Sequence, residues 1–372
     1  MRPPSSVLVL TASYGEGHNA AARAVAAACE ERGGEGSARV ADIFALTSPR
    51  LNEVVRRGYL SAINRYPKVW SQAYRWMDQS ALLRSGLNGV MLRRERARLA
   101  GLLAAADAPR MLCSTYPAYS FMIERLRREG RHCLPHYSIV TDSISINSLW
   151  WRAGCSGWLV PNEDSAETMR QAGVDPRKIH VTGFPVNNFF TRHEGKLQPD
   201  DLAAGHAPRV LHIINSGTRD AEATAAQLLS VADWEVTFAV GRDTRLKDRL
   251  EKLAAGRRRP ATVLGWTDQI PRLLMTHHAV VSKAGGATTQ EAIAARCPMI
   301  VCQVVPGQEE GNYELLRRHE IGARAETPES IRGALENAFA NRGAVWRQWR
   351  SRLDRLARPN AAHAIAERLL AA

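Results

Sequence analysis

The chain has 372 residues, enough for two domains that each bury a core of their own. Hydrophobic content of 45% and a mean hydropathy of −0.28 describe a globular chain, and no stretch approaches the ~20 apolar residues of a membrane-spanning helix. A formal net charge of +13 implies an acidic partner: nucleic acid, an anionic membrane surface or phosphorylated ligands.

Val7–Leu10 reads as a fully buried strand. It runs into TASYGEGHN, whose Gly15 and Gly17 permit a tight loop, and then into an alanine-rich helix over residues 20–32. His18 lies at that junction, beyond the carboxyl end of the strand, where an imidazole can act as a base near neutral pH. Ser13 and Glu16 are polar groups close enough in sequence to orient it.

Residues 38–42 form a second strand, after which the rhythm breaks. Residues 50–98 carry 11 basic and 3 acidic side chains, so +8 of the net charge sits in 49 residues. Tyr59, Tyr66, Trp70, Tyr74 and Trp76 are interleaved with arginines that include Arg93, Arg94, Arg96 and Arg98. Basic helices carrying Trp and Tyr suit the headgroup region of an anionic bilayer. The bland alternative is a set of core-packing helices with solvated arginine faces. No nucleic-acid-binding motif accompanies the segment, which argues against nucleic acid as the partner.

The rhythm resumes with strand Met111–Ser114, a helix over 119–129, strand 136–140 ending in Thr141-Asp142, and a loop, SINSLWW, containing Asn147 and Trp150. Strand 158–160, helix 164–172 and strand Ile179–Val181 lead to Gly183-Phe184-Pro185-Val186. Residues 191–208 are polar, hold two prolines and lack apolar periodicity, so they read as a linker. A second domain opens with strand 209–214, which ends in Asn215-Ser216-Gly217-Thr218. Helix Ala221–Leu229, strand 236–240, helix Thr244–Ala254, strand 263–266 with Trp266-Thr267, and helix 269–275 follow. Strands alternating with helices throughout imply mostly parallel sheets.

The densest stretch is VVSKAGGATTQEAIAARCPMIVCQVVPGQEEGN, residues 280–312. It reads as strand, glycine turn, helix, strand and polar loop. Gly285-Gly286 allow close approach of a ligand, and Thr288 with Glu291 three residues on resembles a capping box opening helix 289–295. The bare N–H groups of that helix form a phosphate seat, with Lys283 near enough in sequence to add a cation. The next strand, 298–302, delivers Gln308, Glu309 and Asn312 to the edge where open α/β sheets bind ligands. The tail from residue 342 onward reads as helical, divided by Pro359.

The six cysteines, at 29, 113, 133, 155, 297 and 302, form no CxxC, and no Cys/His cluster has zinc spacing. This is the pattern of a reducing compartment without a structural metal. MRPPSSVLVLTAS is no signal peptide, so any membrane contact is expected to be peripheral, from the cytoplasmic face.

Taken together, ASYGEGHNAAARAV at 12–25, TDS…LW at 141–150, VTGFPV at 181–186 and KAGGATTQEA…PMIV…VPGQEEGN at 283–312 resemble the monogalactosyldiacylglycerol synthases and bacterial processive diacylglycerol glucosyltransferases. The resemblance covers nearly the whole chain. It implies an α/β fold of the GT-B type, with two facing Rossmann-like domains and a C-terminal crossover helix. An acceptor- and membrane-binding domain would span 1–190, and a UDP-sugar-binding domain 209–341. Residues 342–372 would return to the first domain. It implies an inverting transfer of a hexose from a UDP-sugar to diacylglycerol, without a cofactor or metal. By the same resemblance, His18 is the base or assists it. Ser216, Gly217, Gly285, Gly286 and Thr288 bind the diphosphate, with Gly17 and Lys283 alongside. Trp266 and Thr267 receive the uracil, and Glu291 the ribose hydroxyls. Gln308 and Glu309 read the sugar, supported by Asn312. The acceptor and membrane side would involve Trp70, Trp76, Arg93, Arg94, Arg96, Asn147 and Trp150.

The chain departs from that pattern twice. Ser13 stands where the plant enzymes have an aspartate proposed as a base, which leaves His18 alone or Glu16 in that part. TDSISINSLW is one residue longer than the usual segment and lacks its histidine, Asn147 being the nearest polar substitute. The rival readings are a transferase using UDP-N-acetylglucosamine or another lipid acceptor, a UDP-sugar epimerase of the same fold, and a membrane-bound UDP-sugar-binding protein without turnover.

Overall fold

The computed structural model describes residues 7–65, 72, 92–105, 107–131, 134–215, 218–259, 261–307 and 309–371. The chain divides into two compact units. One comprises Met1–Asn188, Pro306–Gly311 and Arg358–Ala372; the other comprises Phe189–Val305 and Asn312–Ala357.

The first unit is built on a parallel sheet in the order β2-β1-β3-β4-β5-β6. Its strands are β1 (Val7–Leu10), β2 (Ala38–Ala41), β3 (Met111–Ser114), β4 (His136–Ile139), β5 (Gly157–Val160) and β6 (Ile179–Val181). Side chains alternate across β1, and both faces are covered. Val7 and Val9 pack with Val25 and Cys29 of helix α1 (Glu16–Gly33) and with Ile365 and Leu369 of the last helix, Ala361–Ala371. Leu8 and Leu10 pack with Phe44, Leu99, Tyr119 and Met122 on the other face. β2 and β3 flank β1 on opposite sides, so the winding reverses at β1. The loops after β1 and β3 border the crevice that such a reversal opens.

The second unit carries another parallel sheet, ordered β12-β11-β10-β7-β8-β9. Its strands are β7 (Arg209–Ile213), β8 (Glu235–Ala239), β9 (Thr262–Leu264), β10 (Ala279–Lys283), β11 (Met299–Gln303) and β12 (Gly322–Arg324). Here the winding reverses between β7 and β10. Val210, Phe238, Val281 and Ile300 form its core with Leu228, Leu250, Ile331 and Leu335. His212 is fully buried in β7, edge-on to Phe238, with no hydrogen-bond partner at either ring nitrogen.

The structure corrects the sequence reading in several places. Helix α1 starts at Glu16 rather than 20, so His18 lies in its first turn. The helix after the second glycine turn is Gly286–Ala294, with Gly285 at the N-cap and no side-chain cap. Thr288 therefore sits inside the first turn, and there is no Thr288–Glu291 capping box. Helix Glu310–His319 and strand β12 occupy residues read as loop or left unassigned. The tail helix begins earlier, at Pro328, capped by Thr327 and Ser330, and is interrupted at residues 340–343.

Single charged residues tie together distant chain segments. In the first unit, Glu31 accepts hydrogen bonds from Asn188 Nδ2 (2.9 Å) and His363 Nε2 (2.8 Å). In the second, Arg296 pairs with Glu194 (2.6 Å) and Asp354 (2.7 Å).

Candidate functional site

The loop after β1 is fixed from below by backbone and hydroxyl groups. Tyr119 Oη donates to Thr11 O (2.7 Å) and accepts from Ile43 N (3.0 Å), while Thr11 Oγ1 donates to Asn19 Oδ1 (2.9 Å). Ser13 donates from both N (2.9 Å) and Oγ (2.6 Å) to Asp42 Oδ2. The other oxygen of Asp42 caps the helix Ile43–Thr47 through Ala45 N. Asp42, a mere strand end in the sequence, is thus the anchor of the glycine loop. The sequence holds no spacing that would single it out, because β2 joins the site through sheet pairing.

His18 is half-buried at the head of α1. Its Nδ1 lies 3.1 Å from Thr141 Oγ1, and its carbonyl accepts from Thr115 Oγ1 (3.1 Å). Tyr116 meets the ring edge-on at 5.2 Å, and Trp150 lies at 6.4 Å. Burial lowers the imidazole to about 4, against a hydrogen bond with the Thr115 backbone. The ring is therefore neutral at pH 7, the form that accepts a proton. Neither Ser13 nor Glu16 orients it: Ser13 serves Asp42, and Glu16 is exposed and paired with Arg23. Thr141 makes that contact instead.

Trp150 is fully buried, and its Nε1 donates to Asp142 Oδ2 (2.7 Å). Burial raises the Asp142 carboxyl to about 6, opposed by that indole and by the Asn147 backbone. Asn147 is buried, and its Oδ1 caps the turn Ser148–Trp150 by accepting from Leu149 N (3.0 Å). Tyr14, Phe44 and Tyr116 form an aromatic cluster beside this group, with centroids 5.6–5.8 Å apart. Gly17 lies half-buried in the first turn of α1. Arg93 and Arg94 are exposed and Arg96 is half-buried on helix Arg93–Leu103.

In the second unit, Gly285 has φ −66° and ψ 138°, a conformation open to any residue. Its value is the missing side chain, which permits close approach of a ligand to the start of helix Gly286–Ala294. Asn312 braces this turn: its Nδ2 donates to Ala284 O (3.0 Å), and its buried Oδ1 has no partner. Glu291 is half-buried, its carboxyl has no hydrogen-bond partner among the described residues, and burial pushes that carboxyl up to about 7. Trp266 is 68% exposed at the end of β9, and Thr267 Oγ1 accepts from Gln269 N (3.1 Å). Lys283 and Thr288 are half-buried, and Lys283 is already engaged. Glu309 is buried and groups with the first unit. Trp70, Trp76, Ser216, Gly217 and Gln308 lie outside the described residues. Among the described residues no cluster of His, Cys, Asp and Glu is arranged to hold a metal ion, and no helix is long and apolar enough to cross a membrane.

Comparison with known proteins places this geometry. The family profile described as monogalactosyldiacylglycerol (MGDG) synthase matches residues 18–186. A processive diacylglycerol beta-glucosyltransferase of Bacillus subtilis is 23% identical over 100% of this chain and 96% of its own. That of Bacillus licheniformis is 23% identical over 84% of this chain and 81% of its own. Among solved structures, MurG of Acinetobacter baumannii superposes with a TM-score of 0.62 at 13% identity, covering 99% of this chain and 100% of that one. Os79 of O. sativa in complex with UDP gives 0.63 at 14% identity, covering 98% and 99%. The two structures share the fold, a two-domain α/β architecture of the GT-B type. By profile and relatives the chain is similar to the monogalactosyldiacylglycerol synthases and processive diacylglycerol glucosyltransferases, and its fold is that of the GT-B type.

Proposed function

We propose that the protein transfers a hexose from a UDP-sugar to diacylglycerol at an anionic membrane surface, with inversion at the anomeric carbon. One observation carries the reading. Each sheet ends, where its winding reverses, in a glycine turn that opens a helix, and the chemistry-bearing residues gather at those two turns.

The second unit supplies the donor seat. Helix N–H groups beyond Gly285 and Gly286, with Thr288, Ser216 and Gly217, stabilise the diphosphate as it leaves, a role that positioned dipoles perform without a metal or cofactor. Trp266 offers its exposed face to the uracil, Glu291 accepts from the ribose hydroxyls, and Gln308 and Glu309 read the sugar. The first unit supplies the base. As the lipid hydroxyl attacks the anomeric carbon from the side opposite the diphosphate, His18 takes its proton. Glu16, turned to solvent and paired with Arg23, is the weaker candidate for that role. The cluster of Tyr14, Phe44 and Tyr116 borders the acceptor, with the buried Trp150 and Asn147 shaping the loop beside it, and the basic 50–98 segment docks on anionic lipid from the cytoplasmic side.

The test is product formation from a panel of UDP-sugars with diacylglycerol in anionic and in neutral vesicles. Turnover to a β-glycoside, faster on anionic vesicles, is the expected result. UDP-sugar hydrolysis without lipid product would redirect the acceptor assignment, and equal rates on both vesicles would remove the electrostatic docking.

A further inference from the structure

Lys283, the cation that the sequence suggests for the donor seat, is half-buried and has a partner of its own. A different cation stands on the facing loop of the same switch point. Residues 214–220 follow β7, and β7 pairs with β10, the strand that leads to Gly285. Gln303, at the end of β11, joins the two loops. Its backbone oxygen accepts from Ala284 N (2.9 Å), immediately before the glycine turn, and its side-chain Oε1 accepts from Arg219 N (3.3 Å). Arg219 is exposed and forms no ion pair among the described residues.

We propose that Arg219 is a donor-binding residue whose guanidinium contacts the diphosphate of a nucleoside-diphosphate sugar and stabilises its charge on departure. The inference rests on the donor reading above and adds a residue to it. Three features support it. A guanidinium without a carboxylate partner keeps its donors available for phosphate oxygens. The seat itself points to a ligand that brings a hydroxyl donor, as the sugar of such a nucleotide does, because Asn312 is 4% exposed at the same turn and its Oδ1, an acceptor, is left without a partner. And Gln303 fixes the backbone of Arg219 to the strand that carries the seat, so the side chain starts from a set position. Lost fixation of that backbone would loosen the cation without removing it, which makes Gln303 its positioning residue.

The experiment is calorimetric titration of the full chain with UDP, UMP and uridine, for wild type, Arg219→Ala and Arg219→Lys, with thermal unfolding as a folding control. Wild type should bind UDP. Arg219→Ala should weaken UDP by about tenfold or more, UMP by less and uridine not at all, with Arg219→Lys intermediate. Unchanged UDP affinity in Arg219→Ala, or an equal loss for UDP and uridine, would overturn the inference while leaving the donor reading intact. Failure of the wild type to bind UDP would overturn both.

Discussion

The Nδ1 of His18 lies 3.1 Å from the hydroxyl of Thr141, so the imidazole is held by a neutral partner, in a setting that lowers its pKa to about 4. A base must be unprotonated to work. Its acid limb in a kcat–pH profile is therefore expected near pH 4, well below the usual 6.5. His18→Ala should cut kcat by about 10²–10⁴-fold and leave UDP affinity unchanged. Full activity in that variant would dismiss His18 as the base.

Gly15 lets this site be probed by addition. Its φ of −145° is open to any residue, and an added Cβ would lie 3.5 Å from His18 Cδ2 and 3.9 Å from Nε2, ordinary contact distances. Gly15→Ala should fold with a melting temperature close to wild type. The new methyl group stands over the ring, so turnover should fall while UDP binding persists. Wild-type turnover would show that the acceptor does not approach His18 from this side.

Glu291 sets a pH dependence of the same sign at a higher pH. Burial raises its carboxyl to about 7, and ribose hydroxyls donate best to the ionised form. UDP affinity should therefore rise as pH increases towards 7 and level off above it, changing by at most about tenfold per unit below it. Glu291→Gln should flatten that curve and weaken binding at pH 8. A wild-type affinity constant from pH 5.5 to 8.5 would separate Glu291 from the ribose.

His212 is a cost in the second core, since burial lowers it to about 3 and neither nitrogen is bonded. The unfolded chain binds a proton below about 6.5 that the native state refuses until about 3. Stability from this residue is thus lost as pH falls through that window. His212→Leu should stabilise by about 1–3 kcal/mol at neutral pH and reduce the acid sensitivity, read from urea midpoints at constant m-value. A destabilised variant would mean that the ring's packing against Phe238 outweighs its missing bonds.

The sequence spells out the fold through its strands: β1, β3 and β6 coincide with the apolar runs, and both glycine turns sit at reversals of winding. His18 and Glu291 stand out in the sequence because each lies on the helix that such a turn opens, whereas Asn312 comes to the second turn from helix Glu310–His319. What stays hidden depends on pairing between distant segments. Asp42 reaches Ser13 only because β2 lies beside β1, and Thr141 reaches His18 across 123 positions of chain. The second helix opens at Gly286, ahead of the Thr288–Glu291 pattern, for a local reason. Gly285 caps the helix through backbone geometry alone, and a side-chain cap is the only kind that sequence displays.

Glu31 holds Asn188 and His363 on the two oxygens of one carboxylate, and that bears on how the protein can be cut. A fragment ending near residue 190 would lack Ile365 and Leu369, exposing the apolar face of α1, and should aggregate when expressed. Joining residue 188 to residue 358 by a short linker would restore that face, since Glu31 already bonds both segments, at the loss of the short stretch Pro306–Gly311 that also belongs to this unit. The first unit is in this sense a host with a long insertion, and a gene carrying the splice, rather than a truncation, is the one to express for it alone.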